Sequence, residues 1–202
     1  METMAFGPLQ ISFDGRVLRP RAWSAAQSRR AAEILPDAPP GPVLELCAGA
    51  GQIGLLAVHG SDRRLVCVDL NPAACAWTRH NAEAAGVADR VEVREGPMDQ
   101  VLRDSERFAL IVADPPWVRR DDVPNYPEDP VLAIDGGVDG MDVAWLCLDL
   151  ARTHLATGGT LLLQLGTPQQ VDAIRDRLHG DDLDLTDVRW CERGVLVRLD
   201  RP

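Results

Sequence analysis

The chain has 202 residues, 46% of them hydrophobic, with 17 Gly and 15 Pro, which is enough apolar material for one full core and leaves little for a second. A net charge of −10 with a pI near 4.8 excludes a broadly basic surface of the kind that grips nucleic acid without regard to sequence. The five cysteines are odd in number and form no C-x-x-C pair, and no apolar run reaches about 18 residues, so neither a disulfide framework, a zinc site nor a membrane span is expected.

Residues 9–18, LQISFDGRVL, alternate apolar and polar side chains around Asp14-Gly15, a dipeptide that supplies the two φ > 0 positions of a hairpin turn. A small antiparallel flap is predicted there. Ser24, followed three residues later by Gln27, reads as a capping box that starts a helix running to Leu35, where Pro36 stops it. The tract PDAPPGP at 36–42 then delivers the chain to a strand.

That strand opens VLELCAGAGQIG at 43–54, a short apolar run flowing into a glycine-rich turn and a helix N-terminus. Gly49 and Gly51 let the backbone turn sharply and approach a ligand closely, while unpaired helix N–H groups face the same space. Gly49, Gly51 and Gly54 match G-x-G-x-x-G, and Asp69 lies at about the 20-residue spacing of a ribose-binding acid, so a dinucleotide is one candidate. Glu45, with Cys47 and Ala48 before the first glycine, favours the other. A carboxylate at this strand end repels a pyrophosphate but suits the sulfonium and ammonium of S-adenosylmethionine. An ordinary strand-to-helix turn without ligand is the plain alternative.

Strands and helices alternate from there: VLEL, a helix in QIGLLAVH, LVCVD at 65–69, a helix over 72–85, VEV at 91–93 and FALIVA at 108–113. These strands are short and continuously apolar, as in a parallel sheet covered on both faces. An irregular proline-rich stretch covers 115–130, then a helix over 138–155, a fifth strand TLLLQL and a helix over 168–178. LDLTDVRW and VLVRLD close the chain as a hairpin turning around 191–194. Asp69, at the carboxyl end of the second strand, is placed to accept hydrogen bonds from ribose hydroxyls; a cap on the following helix is the structural alternative, and the two roles are compatible. His59, His80, His154 and His179 are scattered without ligand spacing and read as helix-surface residues, so no metal is implied.

Asp114-Pro115-Pro116-Trp117 follows the fourth strand of this series. The two prolines fix φ and remove two N–H donors, leaving carbonyls that only accept, which selects an NH₂ donor. The Asp114 carboxylate and the Pro115 carbonyl can each take one hydrogen of a planar amide or amine, turning its nitrogen toward a methyl donor. Trp117 offers a flat wall. A proline-stiffened loop with a core tryptophan is the structural alternative.

With these motifs in order, the sequence resembles the class I methyltransferases with a [DN]-P-P-[YFW] motif, and the HemK-like enzymes that methylate a release-factor glutamine most of all. PVLAIDGGVDGMDV at 130–143 is similar to that family's segment after the catalytic loop, and VLRPRAWS at 17–24 to its hairpin exit. The resemblance implies an α/β fold with a doubly wound, Rossmann-like seven-stranded sheet whose last strand is antiparallel. It implies one domain over 1–202, with 1–42 as an N-terminal hairpin and helix and 43–202 as the catalytic core. S-adenosyl-L-methionine is the implied cofactor, held by Glu45, Cys47, Ala48, Gly49, Gly51, Asp69, Leu70 and Asp114. The family's usual acid after the third strand is replaced by Pro97, so Pro97, Met98 or Asp99 is expected at the adenine. Asp114, Pro115, Pro116 and Trp117 carry catalysis, with Arg21 and Arg119 beside Trp117 at the substrate.

HemK-like enzymes usually have Asn and Tyr where this chain has Asp114 and Trp117, a form shared with adenine N6-methyltransferases, and often carry a helical N-terminal domain. A glutamine amide in a release-factor-like protein is the preferred acceptor, in the cytoplasm and away from any membrane. A nucleobase, a small metabolite under a lid at 118–130, or service as a silent partner subunit are the competing functions.

Overall fold

The computed structural model describes residues 1–178 and 182–202. At the N-terminus, β1 (Glu2–Phe6) and β2 (Leu9–Phe13) form a separate antiparallel pair in which Phe6 faces Leu9. The hairpin therefore turns at Gly7-Pro8 and not at Asp14-Gly15 as the alternation suggested. Gly7 takes φ 61° at the first turn position, and the fixed φ of proline suits the second. Asp14 instead follows the end of β2: its carboxylate accepts the Arg16 N–H at 3.0 Å and pairs with the Arg16 guanidinium.

Helix α1 (Ala25–Ile34) follows a single 3-10 turn, and the predicted capping box is absent. Ser24 Oγ donates backwards to the Arg21 carbonyl at 2.7 Å, and the Gln27 side chain is buried against the sheet. The 3-10 turn supplies the first carbonyls of the helix, so Ser24 is already helical and has no orphan N–H to cap.

The main sheet contains β3 (Val43–Leu46), β4 (Leu65–Asp69), β5 (Val91–Glu95), β6 (Phe108–Ala113), β7 (Leu155–Leu165), β8 (Asp184–Trp190) and β9 (Val195–Asp200), in the order β5-β4-β3-β6-β7-β9-β8. β3 to β7 are mutually parallel, and β9 enters antiparallel between β7 and β8. Helices α1, α2 (Gln52–Ala57) and α3 (Pro72–Ala84) pack with the hairpin on one face. Short α4 (Met98–Val101), α6 (Asp142–His154) and α7 (Pro168–Arg177) cover the other, and a short α5 (Val131–Ile134) lies in the connection after β6. Burial on both faces explains why β6 reads as an unbroken apolar run and β3 as one interrupted only by Glu45.

Helix α6 begins at Asp142, four residues later than predicted, because Gly136, Gly137 and Gly140 form a turn that bonds back to the segment after β6. Two histidines, His59 and His80, are exposed as expected, whereas His154 is 4% exposed, its Nδ1 3.1 Å from the Glu106 carbonyl. His179 lies outside the described residues. Among the described residues no helix is long and apolar enough to cross a membrane, and no metal-binding cluster occurs.

Candidate active site

The chain reverses its direction across the sheet between β3 and β6, and such a switch point leaves a crevice at the carboxyl ends of the strands. Two cavities occupy it. The smaller, about 270 Å³, is lined by Cys47, Gly49, Asp69, Leu70, Pro97, Met98 and Asp99, among others. The larger, about 650 Å³, is lined by Arg21, Trp23, Pro115, Trp117 and Tyr126, among others. They meet at Leu18, Gln52, Asp114, Pro116 and Ala133, which border both.

The floor of the smaller cavity is the glycine loop, where Cys47 and Gly49 both take φ 58°. Asp69 fixes this loop. One carboxylate oxygen accepts the Gly49 N–H at 2.8 Å and the other the Asn71 N–H at 2.8 Å, which leaves lone pairs free toward the cavity. The helix-cap role belongs to Asn71, whose Oδ1 accepts the Ala73 N–H at 2.9 Å ahead of Pro72.

Three residues read from the sequence as cofactor contacts stay out of the cavity lining. Glu45 is 2% exposed and turned beneath the loop, where it accepts from Gly54 N–H at 2.9 Å and from the Cys67 thiol at 3.3 Å. Strand alternation decides this, since Glu45 stands opposite Cys67 in the β3–β4 register, on the face covered by α2. Ala48 is 2% exposed. Gly51, with φ 78°, faces α3, and a Cβ there would come within 2.8 Å of Thr78 Cγ2.

At the junction of the cavities, burial pushes the Asp114 carboxyl up to about 7, opposed by a hydrogen bond from the Trp117 side chain. The Trp117 ring lies over Gly166, where any Cβ would collide with the indole. Gly136 and Gly140 give close access to the Pro116 and Trp117 carbonyls, which is the structural work of the 130–143 segment. Arg21 lines the larger cavity but is engaged by Asp129 at 2.6 Å, tying the N-terminal segment to the 118–130 stretch. Arg119 is exposed and lines neither cavity. Gln52, Trp23 and Tyr126 were not singled out from the sequence; only the position of Gln52, directly after the glycine loop, offered a signal.

A family model, the methyltransferase small domain, matches residues 26–126, which contain the glycine loop, Asp69 and the whole Asp114 to Trp117 turn. The chain belongs to this family. It is 28% identical over 134 residues to a release factor glutamine methyltransferase of Clostridium acetobutylicum, covering 63% of this chain and 47% of that protein. It is 30% identical over 175 residues to a ribosomal protein uL3 glutamine methyltransferase of Francisella tularensis, covering 81% of this chain and 54% of the other. The chain thus spans about half the length of these relatives. A solved methyltransferase from Pyrococcus furiosus shares the fold, with a TM-score of 0.70 at 17% identity over 98% of this chain and 90% of that one.

The cofactor of this methyltransferase family, S-adenosylmethionine, carries two cationic groups and no phosphate, and the smaller cavity fits it. Its ionisable lining is Asp69, Asp99 and Asp114 with the Cys47 thiol, and among the described residues no Arg or His borders it. A hydrogen bond with the Cys147 thiol, together with burial, holds Cys47 well above the usual thiol range, so the thiol is neutral, and burial raises Asp69. An acidic and otherwise largely apolar cavity disfavours a pyrophosphate. That preference comes from the three aspartates and not from Glu45.

Proposed function

We propose that this chain transfers a methyl group from S-adenosylmethionine to a planar nitrogen, and that the acceptor is the side-chain amide of a glutamine in a protein. The observation that carries this reading is the meeting of the two cavities at Asp114 and Pro116. When bound, the cofactor supplies an electrophilic methyl group on a sulfonium. Asp69, with the lone pairs that Gly49 and Asn71 leave free, would accept from the ribose hydroxyls, and Leu70, Met98 and the backbone at Pro97 would hold the adenine. In the larger cavity, the Asp114 carboxylate and the Pro115 carbonyl accept the two hydrogens of the acceptor NH₂. That grip turns the nitrogen lone pair toward the smaller cavity and holds it there for attack. Trp117 packs against the planar group, and Asp114, near 7, can take the proton that the methylated nitrogen sheds.

The relatives named for glutamine methylation of a release factor and of ribosomal protein uL3 support a translation protein as acceptor, and hence a cytoplasmic setting. The net charge of −10 weighs against RNA, and of the arginines that line the larger cavity, Arg19 is paired with Glu2 and Arg21 with Asp129. The test is transfer of labelled methyl groups with a release factor, protein uL3 and RNA offered together at low and moderate salt. Label should enter protein with a shallow salt dependence. Label in RNA, with a slope equal to several phosphates, would promote the nucleobase function instead.

A further inference from the structure

Within the turn from Asp114 to Trp117 the Trp117 side chain donates to the Asp114 carboxylate, but the backbone carbonyls need partners from outside. Pro115 and Pro116 have no N–H, so the turn offers carbonyls to its surroundings and almost no donors. Two buried glutamines supply what is missing, one at each end. Gln27 of α1 is 1% exposed, and its Nε2 donates to the Ala113 carbonyl at 3.0 Å and to the Leu162 carbonyl at 3.0 Å. Gln170 of α7 is 5% exposed, and its Nε2 donates to the Trp117 carbonyl at 3.1 Å and the Gly140 carbonyl at 3.3 Å. The two helices lie on opposite faces of the sheet.

We propose that Gln27 and Gln170 form a two-ended clamp on the carbonyls that flank the Asp114–Trp117 turn, and that this clamp sets where the acceptor-orienting oxygens of Asp114 and Pro115 stand. Both are positioning residues: neither lines a cavity, and each acts through the turn. Gln27 joins the end of β6 to β7 and to α1, so the N-terminal helix and the floor of the acceptor cavity move as one piece. Gln170 has a second task. Its Oε1 accepts from the Gly166 N–H at 2.7 Å and the Thr167 N–H at 3.2 Å, and Thr167 in return caps α7. The substitution used must separate that capping from the clamp.

Gln170→Glu at pH 8 does so, because it keeps the capping oxygens and removes the donor to Trp117. Gln27→Met keeps length and burial while removing the donor to Ala113. The consequence for turnover rests on the proposed methyl transfer; the consequence for the turn itself does not. Each variant should fold with a cooperative melt, bind S-adenosylhomocysteine within a few fold of wild type by calorimetry, and keep its KM for the acceptor. Its kcat should fall about 10- to 100-fold, the loss expected when reacting groups are misplaced by an ångström or less. Hydrogen exchange measured on the peptide covering 113–118 should quicken in both. If both variants fold and keep wild-type exchange at this turn, the clamp is refuted, and so it is if kcat and cofactor affinity fall in parallel. If wild type methylates none of the acceptors offered, the activity reading fails, and the exchange measurement still decides the clamp.

Discussion

The Glu45 carboxylate accepts the Gly54 N–H at 2.9 Å, so the third glycine of the loop motif answers to the strand beneath it and not to a ligand. Burial pushes the Glu45 carboxyl up to about 7, against the lowering effect of the Gly54 N–H and the Cys67 thiol. A carboxyl raised in this way stabilises the fold while protonated, fully so below its ordinary value near 4.5, and loses that contribution as pH rises through about 7. Glu45→Gln keeps an acceptor for Gly54 and removes the buried charge. Urea titrations should show the variant gaining on wild type between pH 5 and pH 8, by up to roughly 3 kcal/mol. Calorimetry should find its cofactor affinity within a few fold; a large loss would restore Glu45 to the cofactor site.

Gly54→Ala tests the same contact from the other side. A Cβ there overlaps the Glu45 carboxylate and comes within 3.1 Å of Leu65 Cδ1, both on buried elements that have little room to move. A loss of about 1–3 kcal/mol is expected, the usual cost of overpacking a core. Thermal melts of the variant and of its combination with Glu45→Ala should show partial recovery in the double variant.

Asp69→Ala should weaken S-adenosylmethionine binding by about 1.5–3 kcal/mol, the scale of lost hydrogen bonds to a charged group. Part of that loss is indirect, because Asp69 also holds the Gly49 N–H at 2.8 Å. Unchanged affinity by calorimetry would leave Asp69 as a loop brace alone.

For Asp114, the form that grips the acceptor is the carboxylate, and its value lies near 7. Turnover should therefore rise as pH increases through 7 and level off above it. Asp114→Asn should flatten that profile, and Asp114→Ala should abolish turnover while cofactor affinity stays within a few fold. Parallel collapse of both in the Ala variant would move Asp114 from the acceptor to the cofactor.

Trp117 lines the larger cavity with its ring laid over Gly166. Trp117→Phe should keep part of the activity by preserving a flat face, and Trp117→Ala much less. Equal activities in a steady-state assay would mark the tryptophan as structural only.

What the sequence determined by itself is what local pattern can carry. The unbroken apolar run of FALIVA, and VLEL interrupted only by Glu45, marked a sheet covered on both faces, Gly49 marked the loop, and Asp69 and Asp114 were read at strand ends, where an apolar run gives way to a carboxylate. Local chemistry failed where a nearer or better partner existed elsewhere in space. Asp14-Gly15 looked like the hairpin turn, but Gly7-Pro8 pairs two strands of equal length. Ser24 and Gln27 had capping spacing, yet Gln27 is drawn into the core by carbonyls 86 and 135 residues away. Glu45 was placed in the cofactor site by its position in the motif, whereas the side-chain alternation of β3 and its register against Cys67 put it beneath the loop. The glutamines that hold the Asp114–Trp117 turn were invisible for the same reason: a buried side-chain donor is defined by the carbonyls it meets, and only the packed helices bring those together.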